Sequence, residues 1–185
     1  MIWKIIVEII VAFVPNKNTK TKLRLNLRNF WSRLKVKRRV MYFGKDVRCG
    51  KALQVNKTTY LGDYSSIGSG RILGSGDFYF GAHSSTGDDL LVLTDNHNYQ
   101  GIMLPYDDTC NPKGVTVGES CWIGARVTLL PGCNLGEGCI VQAGSVVHGI
   151  FPPLSIIGGN PAQIFKYRNK EHYEALKAKS AFYKF

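Results

Sequence analysis

No CxxC pair occurs in this 185-residue sequence, and its five cysteines and four histidines form no cluster with zinc-finger spacing, so a structural zinc site is not expected. An odd number of cysteines also fits poorly with a disulfide framework and favours a reducing compartment. No apolar run is long enough to cross a bilayer, which takes about 20 residues. The longest, positions 1–14, is broken by Lys4 and Glu8, a possible i,i+4 pair. A secretory signal fits poorly too, because no small-residue cleavage site follows and a long basic run does. Acidic residues are missing altogether between Lys17 and Arg39.

That same stretch holds ten of the 24 basic residues: Lys17, Lys20, Lys22, Arg24, Arg28, Arg33, Lys35, Lys37, Arg38 and Arg39. Lys4 and Glu8 offset each other, so the 13 basic and 12 acidic residues from position 40 onward nearly balance, and the arm carries the net charge of +11. Pro15 ends the first apolar segment, and Leu23, Leu27, Phe30, Trp31 and Leu34 then recur at helical spacing among the cations. An amphipathic basic helical arm over 1–41 follows. It suits attachment to an anionic membrane surface, or packing on its own domain or a neighbour. Nucleic acid is not expected as a partner, since no binding module surrounds the cations. At 44% hydrophobic and 20% charged, the 185-residue chain as a whole suits a single globular domain rather than a disordered one.

Its organising feature is a strict period of six. Val117, Ile123, Leu129, Leu135, Val141 and Val147 mark one apolar phase, and Cys121, Val127, Cys133, Cys139 and Ser145 mark a slim one four residues on. Glycine often follows the apolar position (Gly118, Gly124, Gly136). Neither a helix nor a plain strand has that period; a β-helix of short strands and tight corners does, with apolar and slim positions inward and glycine where a Cβ would obstruct. Upstream the beat runs through Phe43, Cys49, Val55, Leu61, Ile67 and Leu73, slips by one, and resumes at Phe80, Thr86 and Val92. Arg71 and Asp77 fall on slim positions, so a bulge is expected near 69–79. Three sextets per turn give about five turns and a prism roughly 24 Å tall at ~4.8 Å per strand.

The beat stops over 93–114, where TDNHNY and LPYD suggest a loop thrown outward, and long loops in compact domains are commonly functional. After the repeat, Pro152-Pro153 is expected to end strand pairing, Gly158-Gly159-Asn160-Pro161 to form a turn, and Asn169 to cap a helix anchored by Tyr173, Leu176 and Phe182.

The hexapeptide period, TDNHNY, LPYD, VTVGESCWIGARVTLLPG and GGNPA together resemble the hexapeptide-repeat acyltransferases, in particular the sugar and polysaccharide O-acetyltransferases related to maltose and galactoside acetyltransferases. The match covers roughly residues 43–168. It implies an all-β solenoid: a left-handed parallel β-helix over 42–168 with a catalytic loop at 93–114, the basic arm before it, and a C-terminal helix over 169–185. It further implies a homotrimer with active sites between subunits, acetyl-CoA as cosubstrate, no metal, and a sugar or glycan acceptor. A cytoplasmic location is expected, peripheral on the inner face of the membrane, where the arm would meet anionic lipid.

By this resemblance His97 is the general base and Asp95 its orienting partner; histidine suits the role because its reference pKa of ~6.5 leaves it mostly neutral at pH 7. Trp122 would line the pantetheine channel, the backbone at Gly124 and Ala125 would approach the thioester, and Ala143 and Gly144 would border the coenzyme arm. The chain departs from the family at His148-Gly149 and Gln163, where cations are usual, and Lys166, Arg168 and Arg126 are the replacements at hand for the coenzyme phosphates. Rival readings are N-acylation of an amino sugar, a γ-carbonic anhydrase with three histidine ligands, and a non-catalytic β-helix. His83, His97 and His148 show no ligand spacing for the second.

Overall fold

The computed structural model describes residues 17–183, together with Ile5, Glu8, Ile9, Val11 and Ala12. The first coil of a parallel β-helix is β1 (Tyr42–Phe43), β2 (Arg48–Cys49) and β3 (Leu53–Gln54), and the second is β4 (Thr59–Leu61), β5 (Ser66–Ile67) and β6 (Gly70–Leu73). The third is β7 (Phe78–Phe80), β8 (Ser85–Thr86) and β9 (Leu90–Leu93). A ribbon of β10 (Asp95–His97) and β11 (Cys110–Pro112) interrupts the winding. The fourth coil is β12 (Val115–Val117), β13 (Trp122–Ile123) and β14 (Thr128–Leu129), and the fifth is β15 (Asn134–Leu135), β16 (Ile140–Val141) and β17 (Val146–Val147). A sixth begins with β18 (Ile150–Phe151) and β19 (Ser155–Gly159), after which β20 (Ala162–Tyr167) folds back antiparallel on β19. Strands one coil apart pair in parallel on three faces. The prism is thus nearly one turn longer than the expected five.

The six-residue beat sorts inside from outside as its chemistry requires. Val117, Ile123, Leu129, Leu135, Val141 and Val147 are all buried, as are the slim-position residues Cys121, Val127, Cys133, Cys139 and Ser145. Burying a side chain the size of leucine or isoleucine contributes about 1.5–3 kcal/mol each, so this column is the main source of stability. Glycine follows the apolar position because coils approach too closely for a Cβ: one added at Gly118 would lie 2.7 Å from the Glu137 amide nitrogen. Positive φ belongs to another corner position, occupied coil after coil by Asp46, Tyr64, His83, Ser120, Gly138 and Leu154.

Two expectations are corrected. Leu73 is 37% exposed, and Ile72, in register with Val92, takes the inward place. The slip comes one position earlier than the spacing suggests: the second coil shortens its corner at Gly70 and lengthens the next at Gly74–Asp77, so there is a corner change and not a bulge. Strand pairing also continues past Pro152-Pro153, with Ile156 and Ile157 of β19 aligned with Ile140 and Val141. The prolines fall on a corner between β18 and β19, where no ladder N–H is demanded of them.

Helix α1 (Lys17–Lys37) covers the open end of the first coil. Val36 enters the core cluster, and Ser32 Oγ donates to the Gly50 carbonyl at 2.8 Å. Leu23, Leu27, Trp31 and Leu34 are half-buried, whereas Phe30 is exposed. The C-terminal part of the arm therefore packs on its own domain. Helix α2 (Lys170–Ala178) begins at Asn169, whose side chain accepts from the His172 amide at 2.7 Å. Tyr173 is its buried anchor, and beyond it Phe182 stacks on His83 with centroids 3.9 Å apart.

Candidate active site

Within 93–114, residues 95–97 and 110–112 pair as an antiparallel ribbon where the sequence suggested only a loop. Antiparallel pairing sets Asp95 against Pro112, Asn96 against Asn111 and His97 against Cys110. Beyond the ribbon the chain closes around Asp107, which is buried and accepts from the amides of Ile102 and Thr109 and from the Thr109 hydroxyl. These bonds, led by that from the Thr109 hydroxyl, hold its carboxyl below the usual carboxylate range. Gly101 is required here, because a Cβ would collide with the Asp107 carboxylate.

His97 stands exposed at the end of β10. Its ring stacks on Tyr106 at 4.0 Å between centroids and 9° between planes, and its Nδ1 lies 3.9 Å from Cys110 Sγ. Sequence reasoning missed both neighbours; the LPYD segment carries Tyr106, but nothing in it says where the phenol points. Asp95 does another job: its carboxylate accepts from the Ser75 amide at 2.7 Å and the Ser75 hydroxyl at 2.8 Å, pinning the ribbon base to the second coil. Among the described residues no hydrogen bond joins Asp95 to His97.

The proposed coenzyme residues gather elsewhere on the prism. Trp122 is 60% exposed on β13, and Gly124 and Ala125 follow at the corner between the second and third faces. Ala143 and Gly144 occupy the same corner one coil later and are exposed. A Cβ on Gly124 would collide with the Ala143 amide, so coil stacking alone demands this glycine, whereas Gly144 (φ +74°) faces open space. The Ala125 and Ala143 amides make no hydrogen bond among the described residues, leaving two donors at this corner. Lys166 is exposed on β20. Arg168 is engaged: Nη1 donates to the Gly138 carbonyl at 3.3 Å and its guanidinium lies 4.7 Å from the Tyr173 ring centre. Arg126 lies 3.8 Å from Asp89.

The ribbon leaves the corner between the third and first faces, so one chain does not bring His97 to Trp122, Ala125 or Gly144. Among the described residues no group of three potential metal ligands occurs, and His83, His97 and His148 lie on a corner, the ribbon and the end of the fifth coil.

The family model described as bacterial transferase hexapeptide (six repeats) matches residues 114–149. The chain is 30% identical over 109 residues to the Escherichia coli protein named "Putative colanic acid biosynthesis acetyltransferase WcaF", covering 58% of each chain, so it spans little more than half of that relative. Its fold is similar to a maltose O-acetyltransferase from Clostridium difficile, with a TM-score of 0.66 at 18% identity over 90% of this chain and 84% of that one. It is similar also to the Vibrio cholerae hexapeptide-repeat acetyltransferase VCA0836 complexed with acetyl coenzyme A, with a TM-score of 0.65 at 19% identity over 89% and 84%. Residues 114–149 thus carry the hexapeptide repeat of that transferase family, and the chain is similar in sequence or in fold to proteins named as acetyltransferases.

Proposed function

We propose that this chain is an acetyl-CoA-dependent O-acetyltransferase acting on a sugar or polysaccharide precursor, with His97 as general base. The observation that carries the reading is the placement of His97: an imidazole exposed at the end of a hydrogen-bonded ribbon, its plane fixed by Tyr106. In the reaction, His97 Nε2 takes the proton of the acceptor hydroxyl as its oxygen attacks the thioester carbonyl. The tetrahedral intermediate collapses with cleavage of the C–S bond, and the imidazolium returns its proton to the departing thiolate. The free amides of Ala125 and Ala143 are the available donors for the coenzyme arm or the developing oxyanion.

The working unit is a homotrimer, in which the ribbon of one prism faces the Trp122 corner of the next. The ribbon's tip supports this reading, because Ile102 and Leu104 are each more than 90% exposed and a neighbouring prism would cover them. The basic arm then serves peripheral attachment to the inner face of the cytoplasmic membrane. Lys35, Lys37, Arg38 and Arg39 remain exposed beside the packed part of α1, and among the described residues no helix is long and apolar enough to cross a membrane.

Turnover and acetyl-CoA binding measured for the parent and His97→Ala test the proposal. Loss of turnover with retained binding is expected; equal turnover would remove His97 from the mechanism. Transfer to an amine and not to a hydroxyl in an acceptor screen would replace the reading with amino-sugar N-acylation.

A further inference from the structure

Arg48, Ser66, Ser85 and Trp122 stand in register on the second face, one per coil from the first to the fourth. Arg48 and Trp122 are exposed, and Ser66 and Ser85 are half-buried. Two short side chains between two long ones leave a furrow paved with hydroxyls, about 14 Å from end to end at ~4.8 Å per coil. At its lower end a cleft of about 880 Å³ opens under α1, where Arg33 joins Arg48, and spreads past Lys51 and Ser69 to Asp88 and Asp89. That volume is in the range of small-molecule sites. The corner it follows is the one that carries Ala125 and Ala143 higher up: the Asp88 carbonyl accepts from the Arg126 amide at 2.8 Å, and the Ala125 carbonyl from the Gly144 amide at 2.9 Å.

The charges of the cleft are placed unequally. Arg33, Arg48 and Lys51 are exposed, and among the described residues none has a carboxylate within ion-pair distance. Its acids are engaged already: Asp88 accepts from the amide and hydroxyl of Ser69, each at 2.9 Å, and Asp89 lies 3.8 Å from Arg126. Three cations against two carboxylates leave the lining one positive charge in excess.

We infer that this cleft anchors a carboxylate of the acceptor glycan, borne by a uronic acid unit, and that the furrow carries the glycan from there to the reacting hydroxyl beside Trp122. The inference rests on the reading that Trp122 marks the coenzyme end. A guanidinium presents a planar fork of donors that matches a carboxylate, and Lys51 adds a point charge. One excess positive charge balances a single carboxylate, whereas a phosphate ester or diphosphate would set further negative charge against Asp88 and Asp89. Along the furrow, the hydroxyls of Ser66 and Ser85 both donate and accept, as sugar hydroxyls do. The length of the furrow places the carboxylate and the acetylated hydroxyl about 14 Å apart, on different sugar units. Arg48 is then a specificity-determining residue at the far end of the acceptor path from the chemistry.

Isothermal titration of the full chain at low salt tests this, with a short oligogalacturonide, its carboxyl-reduced neutral counterpart, inorganic pyrophosphate and acetyl-CoA. The oligogalacturonide should bind at least about tenfold tighter than the neutral oligomer, the scale of one charge-assisted contact. Arg48→Ala and Lys51→Ala should each remove about tenfold of that affinity, with unchanged circular dichroism, unchanged affinity for the neutral oligomer and unchanged acetyl-CoA affinity. Arg48→Lys, which keeps the charge, should retain part of the preference. Binding is read without turnover, so failure of the His97 mechanism leaves the result standing, whereas acetyl-CoA binding with no preference for the uronate sinks this inference alone. Any one of four results overturns it: no binding of the oligogalacturonide or equal binding of both oligomers, indifference to Arg48→Ala, competition by acetyl-CoA, or tighter binding of pyrophosphate than of the uronate.

Discussion

The imidazole of His97 lies face to face with the phenol ring of Tyr106, 4.0 Å between centroids and 9° from parallel, on a ribbon that projects from the prism. A base that must meet a hydroxyl at hydrogen-bond distance gains from a ring held in one plane before substrate arrives. His97→Ala should therefore lower kcat by about 10²–10⁴-fold, the usual worth of a general base. Tyr106→Phe keeps the stacking surface and should retain most activity, whereas Tyr106→Ala should lower kcat with little change in the KM for acetyl-CoA. Steady-state kinetics on the parent and the three variants checks all of this.

Thiol chemistry should divide the five cysteines sharply. Cys110 is exposed on the ribbon, whereas Cys49, Cys121, Cys133 and Cys139 are buried. Burial pushes the thiols of Cys49 and Cys133 up to about 12 and leaves few reactive thiolates at neutral pH. In the native protein one thiol should react quickly with a colorimetric reagent and the rest only on unfolding. Cys110→Ser should abolish the fast phase; a second fast thiol would contradict the inward placement of the column.

The C-terminal helix is latched at Glu137, which accepts from Lys177 Nζ at 2.6 Å and from the Tyr173 hydroxyl at 2.8 Å. The Lys177 bond, ahead of the others, holds the Glu137 carboxyl below its ordinary 4.5. Its stabilising contribution is therefore present above about pH 4.5 and is lost as pH falls through the lower folded value. Glu137→Gln should lower the Tm modestly at pH 7, and the gap from the parent should narrow as pH falls below about 4.5. Thermal unfolding of both proteins across that range is sufficient.

Neighbouring residues on β6 should differ in what they contribute. Ile72→Ala removes a fully buried side chain and should cost about 2–5 kcal/mol, whereas Leu73→Ala, at a half-open position, should cost less than about 1 kcal/mol. Urea unfolding of the two variants reads the register of the second coil directly; the reverse order would restore Leu73 as the inward residue.

Removal of residues 1–40 would strip Val36 from the core, so charge reversal is the cleaner probe of the arm. Lys35, Lys37, Arg38 and Arg39 are exposed, and each cation near an anionic headgroup is worth about 1 kcal/mol. Replacing the four by glutamate should weaken binding to phosphatidylserine vesicles by at least about a hundredfold without changing the Tm. Equal co-sedimentation of parent and variant would end the membrane reading.

The solenoid was legible because its rule is local: an apolar residue every sixth place and a slim one four further on define which side chains face inward, whatever the rest of the chain does. Val117 to Val147 and Cys121 to Cys139 obey it. The Asn169 cap and the turn after Gly158 were readable for the same reason, since each is settled within a few residues. Register across a corner is not local. Whether Ile72 or Leu73 points inward depends on pairing with Val92, twenty residues away, and whether Pro152-Pro153 ends a sheet depends on their landing on a corner. The same holds for the site: TDNHNY singles out His97, but Tyr106 and Cys110 become its neighbours, and Ser75 takes Asp95, only when the ribbon folds back and the second coil comes beneath it. A periodic sequence decides which face each residue presents; contacts between coils also depend on the length of every corner between them, which only the folded chain determines.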